Sequence, residues 1–395
     1  MNSIQENTRQ WLRLDNLLVF LLASGIMYQN IFFLHSTDMN AHIWFVEDFF
    51  KTHILPFPPL YYLSVAAFSK LLPFQDSLEL AATIILGFSI LYKYQLSKRY
   101  LGIENLATQK NKHLVGWILV ALMLFFPVYV PGIDKGLWYM GKFTPTIWHN
   151  STIIAVFPFC IILFTTSLRW LASYEKKYWY RMLMLAILIA LIKPSFLFAF
   201  IPAFPLVTLI QEKSWNRNVV SSIILAGLLF FVIIGMTTLL FLPIGTEKYI
   251  KSYANESRII LAPFEVWRAF AKHKITALVT SFAFPMTVLL IYKKRIVSDT
   301  PLLFTVSLGF FSLFVFLLFA ESGVRMLHGN LYWQIPISYF LFLLVVVKNE
   351  LDGYKNNKFT LTFKNPQSML FVFFLMHGFF GLLYLFKYMI FDTYS

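Results

Sequence analysis

The stretch His35–Leu72 reads HSTDMNAHIWFVEDFFKTHILPFPPLYYLSVAAFSKLL. Its first half sets His35, Asp38, His42, Glu47, Asp48 and His53 among aromatic residues. Its second half is a Pro-rich break followed by the apolar run Pro58–Leu72. If that run crosses a membrane, every later apolar segment is reversed. The run has 15 residues, short of the ~20 that a bilayer requires. Counting it would also move Lys98, Arg99, Lys110 and Lys112 to the outside, against the preference of Lys and Arg for the cytoplasmic side. It therefore reads as an amphipathic helix along the outer interface. Tyr61 and Tyr62 would then sit at headgroup depth, with Lys70 snorkelling.

Composition demands the membrane. Of 395 residues, 58% are hydrophobic and 13% are charged, whereas soluble domains average ~25% charged. The net charge of +14 is not a nucleic-acid footprint, because the basic residues lie at the ends of apolar runs. A lone cysteine, Cys160, excludes a disulfide framework and a cysteine metal site. The first apolar run continues into His35 with no small-residue cleavage site, so no cleavable signal is expected.

Eleven apolar runs approach spanning length: 15–34, 78–97, 114–131, 151–168, 180–193, 195–211, 218–242, 275–292, 300–319, 333–348 and 368–388. The expected fold is an all-α polytopic membrane protein of about 11 transmembrane helices, with a range of 10–12. Residues 1–395 form a single integral membrane domain. Residues 35–77 form its first extracytoplasmic loop and 349–367 a cytoplasmic loop. The fifth and sixth runs meet at Lys193-Pro194 and also read as one broken segment. With the N-terminus cytoplasmic, 20 of the 33 Lys and Arg fall inside, which favours N-in and C-out in a plasma membrane.

In this topology the chemistry-bearing residues collect outside. Asp38 and His42 are four apart and share a helix face, with Ser36 or Thr37 as cap. Asp38, at the helix start, is the candidate general base; a solvated loop acid is the plainer alternative. Glu47 lies ~900° further on, on the opposite side. A metal on Asp38, His42 and His53 lacks ligand spacing. Trp148, His149 and Asn150 suit a sugar or phosphate, against an aromatic-belt reading. Arg325, His328 and Asn330 suit a phosphate, although Glu321 is placed for an i,i+4 ion pair. Lys193 is costly in lipid and should face a polar space or snorkel. Arg258 is a further outer cation.

The order of these features carries a resemblance. A first span is followed by an acid opening an outer loop, then PFPPLYYLSVAAFSKLLP (56–73), then a span ending in ILYKYQLSKRYLG (90–102). The break IALIKPS (189–195) adds to it. This resembles the polytopic glycosyltransferases of the GT-C fold, particularly the protein-mannosyltransferase and aminoarabinose-transferase branch. Two departures stand out: Phe57 replaces the family's His before Pro-Pro, and Thr37-Asp38 replaces its acidic pair. The resemblance implies transfer of a sugar from a polyprenyl-phosphate donor to a glycan, lipid or protein acceptor at the extracytoplasmic face, with inversion. Such a reaction suits cell-envelope glycan or glycolipid assembly. Asp38 would be the base, with Glu47 or Asp48 standing in for the second acid and His42 beside them. Arg325, Arg258 or Lys193 would stabilise the phosphate leaving group. No metal or other cofactor is implied by this branch; a divalent cation belongs to the oligosaccharyltransferase branch. Readings from other classes are a flippase or transporter of lipid-linked sugars, a polysaccharide polymerase or ligase, and a membrane acyltransferase using His377.

Overall fold

The computed structural model describes residues 14–35, 37–105, 109–134, 141–241, 258–355 and 366–392. Helix α1 (Leu14–Phe32) leads to α2 (Asp38–Thr52) and the short α3 (Leu60–Ser69). Then come α4 (Ser77–Leu101), α5 (Gln109–Leu124), α6 (Ser151–Ser173), α7 (Lys176–Ile192), α8 (Ser195–Glu212) and α9 (Arg217–Phe241). Strand β1 (Ile259–Leu261) and helix α10 (Glu265–Phe270) precede α11 (Lys274–Tyr292) and α12 (Thr300–Leu318). Strand β2 (Phe319–Glu321), α13 (Gln334–Lys355) and α14 (Pro366–Phe391) complete the described chain.

The protein is an all-α, multi-pass membrane protein. Among the described residues, nine helices are long and apolar enough to cross a bilayer: α1, α4, α6, α8, α9, α11, α12, α13 and α14. The runs expected at 114–131 and 180–193 are helical but shorter. Helix α5 has 16 residues, a rise of about 24 Å at ~1.5 Å per residue. It stops at Leu124 because Pro127 disfavours the helical conformation at the residue before it. Helix α7 has 17 residues and ends at Ile192, one step before Lys193-Pro194. At the expected cytoplasmic loop 349–367, α13 runs on to Lys355 and α14 begins at Pro366. Residues 356–365, with Lys358 and Lys364, lie outside the described residues, as do Lys135, Glu247, Lys248, Lys251 and Glu256.

Helix ends are fixed by local chemistry. Thr37 caps α2, its Oγ1 accepting from Met39 N at 3.0 Å. Asn150 caps α6, its Oδ1 accepting from Ile153 N at 3.1 Å, and Asp299 caps α12 through Leu302 N at 3.0 Å. Gly102, at φ +68°, closes α4 by donating to the Arg99 and Lys98 carbonyls, a left-handed conformation that only glycine adopts without strain.

Helix α13 is the central staff, with Phe340, Leu341, Leu343 and Leu344 fully buried. Lipid tails are as apolar as leucine, so packing rather than hydrophobic expulsion holds such helices together. Aromatic contacts do much of this. Phe200 stacks on Phe204 at 5.3 Å, both against Phe304, and Phe126 stacks on Tyr384 at 3.8 Å. Where backbones approach, glycine is required: a Cβ on Gly381 would lie 1.8 Å from the Leu124 carbonyl oxygen.

Between α5 and α6 the described chain is non-helical, and it is buried at residues 125–127 and 142–150. Phe126 N donates to the His377 carbonyl at 3.1 Å, and Val128 N to the Thr280 carbonyl at 3.1 Å. Further on, Phe143 N donates to Ser281 Oγ at 3.0 Å and Thr144 N to Tyr332 Oη at 3.1 Å. Irregular backbone at this depth is tolerated because protein groups satisfy it. The path delivers residues 148–150 to the end of the bundle where α1 finishes and α2 begins. There Asn30 Nδ2 donates to the Trp148 carbonyl at 2.8 Å. Lys98, bonded to Asp15 at 2.6 Å, marks the opposite end.

Candidate functional site

The first turn of α6 is where the site is assembled. Asn150 lies 112 residues from Asp38, yet its Nδ2 donates to Asp38 Oδ2 at 3.1 Å. The amide cannot flip without loss, because Asn150 Oδ1 accepts from Ile153 N at 3.1 Å and from Thr152 Oγ1 at 3.0 Å. Asp38 therefore has one oxygen held. It is half-buried at the start of α2, facing the start of α6. Two helix N-termini thus meet at one carboxylate, an arrangement that favours negative charge there. Thr37 Oγ1 reaches the His149 carbonyl at 3.4 Å, which also ties α2 to this turn.

Lys193 completes the group. Pro194 holds the preceding residue extended, and Lys193 has φ −163° and ψ 112°. Its side chain leaves the helical path, and Nζ donates to Thr152 Oγ1 at 3.1 Å. The ammonium also lies 5.2 Å from the centre of the Trp333 ring. Among the described residues no carboxylate touches it. Burial is the main reason its pKa falls to about 8; Asp38 and Glu321 oppose that shift and Arg325 adds to it. Asp38, Glu321 and Arg325 therefore all act on Lys193 at this end of the bundle.

His42 sits one turn from Asp38, its Nδ1 hydrogen-bonded to Tyr62 Oη at 2.8 Å. Burial first, and the Lys193 charge second, hold its pKa down to about 4, against the pull of Asp38. Burial does the same to His149, also about 4, again opposed by Asp38. Both imidazoles are neutral near pH 7, so neither is a cation for a phosphate. Tyr61 and Tyr62 are buried against other parts of the protein. They face α2 and α6: Tyr62 holds His42, and Tyr61 lies near Ser151.

A second group adjoins on the segment after α12. Glu321 ends β2, opposite Ile259 of β1. Its carboxylate receives Arg325 through Nη2 at 3.2 Å and Nε at 3.3 Å, and Asn330 Nδ2 at 2.6 Å. The expected i,i+4 ion pair is thus present, on a β–3₁₀ connection rather than an α-helix. Arg325 is accordingly committed to a carboxylate, while Lys193 is not.

Other expected residues stand apart. Glu47 makes a 4.0 Å ion pair with Lys51. It lies about nine residues, or roughly 13 Å of helix rise, from Asp38. Asp48 is one residue further along, its carbonyl accepting from Thr52. His53, at the far end of α2, is exposed, and the three ligands of the metal reading are not together. Among the described residues no three His, Cys, Asp or Glu side chains gather as a metal site would need. Arg258 and His328 have exposed side chains, although the Arg258 backbone pairs with Ser322. The Trp148 ring is buried. His377 is fully buried, its Nδ1 2.7 Å from the Phe126 carbonyl and its ring stacked on Phe125.

Sequence reasoning passed over Thr152, Glu321, Tyr62 and Trp333 as members of the group. Thr152 carries no signal beyond a helix start, and Glu321 looked fully explained by its spacing to Arg325. No family model matches the chain, and no curated protein does either.

Proposed function

We propose that the chain is a membrane glycosyltransferase that moves a sugar from a polyprenyl-phosphate donor to an acceptor at the outer face. The observation that carries this is the pairing of Asp38 with Lys193 through the first turn of α6. Inverting transfer needs a base for the acceptor hydroxyl and a cation for the departing phosphate. Asp38 has one oxygen on Asn150 and the other to receive the hydroxyl proton. The acceptor oxygen then bonds to the anomeric carbon from the side opposite the phosphate. The bond from that carbon to the phosphate oxygen breaks, its electron pair remaining on the leaving polyprenyl phosphate. Lys193, with donors beyond the one given to Thr152, is the cation that meets it. Arg325 and Asn330 hold Glu321 beside it. Neutral His42, fixed by Tyr62, lines the acid side.

The resemblance at residues 35–102 supports this reading independently of the geometry. A transporter of lipid-linked sugars would need polar groups along a path through the bilayer. Lys93, the lysine set within α4, lies instead between the Phe157 and Phe340 rings, 3.6 and 3.9 Å from their centres. The N-terminus would be cytoplasmic and the C-terminus extracytoplasmic, with α5 and α7 crossing as short spans. The test is turnover: purified chain, a panel of polyprenyl-phosphate sugars and detection of released polyprenyl phosphate. Release with at least one sugar is expected; no release with any of them, from protein that is folded, would overturn the reading.

A further inference from the structure

We propose that Thr152 is a positioning residue that couples the Lys193 ammonium to the Asp38 carboxylate and fixes the separation between them. This rests on the reading of Asp38 and Lys193 as the base and the phosphate cation. The donors run in one direction. Lys193 Nζ donates to Thr152 Oγ1 at 3.1 Å. The hydroxyl has a single proton, which it gives to Asn150 Oδ1 at 3.0 Å. That oxygen is thereby kept on the α6 side, and Asn150 Nδ2 is left to donate to Asp38 Oδ2 at 3.1 Å. Each link leaves the next group one orientation.

The hydroxyl is well suited to this task and has no other evident one. Capping of α6 is done by Asn150, which takes Ile153 N. Thr152 is 3% exposed, so bulk water cannot replace its hydroxyl. Among the described residues the Lys193 ammonium makes no other hydrogen bond. The charged and titratable groups around it are Asp38 and His42 from α2, and Glu321 and Arg325 from the segment after α12. None of these replaces the Thr152 oxygen. A valine would fill the same space without donor or acceptor. Lys193 would lose its acceptor and Asn150 one of the two donors that orient it.

The experiment is competitive amine acetylation of the detergent-solubilised full chain across pH, with Lys193 read by mass spectrometry. Thr152→Val should lower the Lys193 midpoint by about half a pH unit or more, a roughly 3-fold change in its protonation ratio. Thr152→Ser, which keeps the hydroxyl, should restore it. Binding of a long-chain polyprenyl phosphate should weaken several-fold in Thr152→Val and recover in Thr152→Ser. A Lys193 midpoint identical in wild type and Thr152→Val would overturn the proposal, as would failure of the serine to restore it. If wild type itself does not bind the polyprenyl phosphate, the transferase reading falls, and the midpoints alone decide the role of Thr152.

Discussion

At the scale of single residues, the site sets a lysine that no carboxylate touches among the described residues against an acid held by an amide. Phosphate binding should therefore depend on Lys193 more than on Arg325. Lys193→Ala should weaken binding of a polyprenyl phosphate by about tenfold or more, the scale of one charge-assisted hydrogen bond. Arg325→Ala should act less directly, by releasing Glu321. The pH dependence follows from the same residue. Burial lowers the Lys193 pKa to about 8, so its charge is present below that pH and lost above it. Binding should not weaken through the usual histidine range, because burial keeps His42 and His149 near 4 and the second ionisation of the phosphate monoester, at pH ~6, only adds negative charge there. It should then decline as pH rises past about 8. A binding curve that instead falls with rising pH at ~6.5 would assign the cation to a histidine. Asp38 and Lys193 were both legible in the sequence, one from the start of an outer helix and the other from its cost in lipid. Their connection was not. Asp38 and Asn150 are 112 residues apart, and no local period or spacing encodes a contact of that kind.

At the scale of elements, the first turn of α6 joins α2 to the break between α7 and α8. Asn150→Ala should remove both a helix cap and the Asp38 contact. The cap alone is worth ~0.5–2 kcal/mol, so a lower melting temperature and lower turnover are expected together. Asn150→Asp should keep the cap but set two carboxylates against each other at the 3.1 Å now spanned by the amide, so turnover is lost and the melting temperature falls through like-charge repulsion rather than through loss of the cap. The contact of α5 with α14 is a second test at this scale. Gly381→Val would drive side-chain atoms into the Leu124 carbonyl, and overpacking of this kind costs ~1–3 kcal/mol or more. A marked fall in melting temperature in detergent is expected. The break at Pro194 follows from the sequence, because proline restricts the residue before it; the stop of α5 at Leu124 does not, since the apolar run reads on to residue 131. Nor do the buried backbone contacts of Phe126, Phe143 and Thr144, because their partners His377, Ser281 and Tyr332 come from distant parts of the chain. Likewise the run Pro58–Leu72 forms only α3, a helix of 10 residues, but the burial of its Tyr61 and Tyr62 against α2 and α6 depends on residues distant in sequence.

At the scale of the whole molecule, hydropathy and the placement of Lys and Arg were enough to expect a multi-pass helical protein. Nine of the eleven expected runs are helices of spanning length. Asp38, Asn150 and Lys193, linked by hydrogen bonds through Thr152, and Glu321, whose charge acts on Lys193, come from four separate parts of the chain gathered at one end of the bundle. If that end is the outer one, cysteines at Ser64 and at Leu327, both on exposed positions, should react with a membrane-impermeant reagent added outside. A cysteine at Arg99 should not. Labelling of all three from one side would break the topology. The central claim is that Asp38 is the base of a sugar transfer from a polyprenyl-phosphate donor, and Asp38→Asn tests it most directly, because the amide keeps the shape and removes the basicity. With purified full-length chain and a donor turned over by wild type, transfer should fall by ~10² or more, the usual scale for loss of a general base, while donor binding changes little. Near-wild-type transfer by Asp38→Asn would contradict the claim.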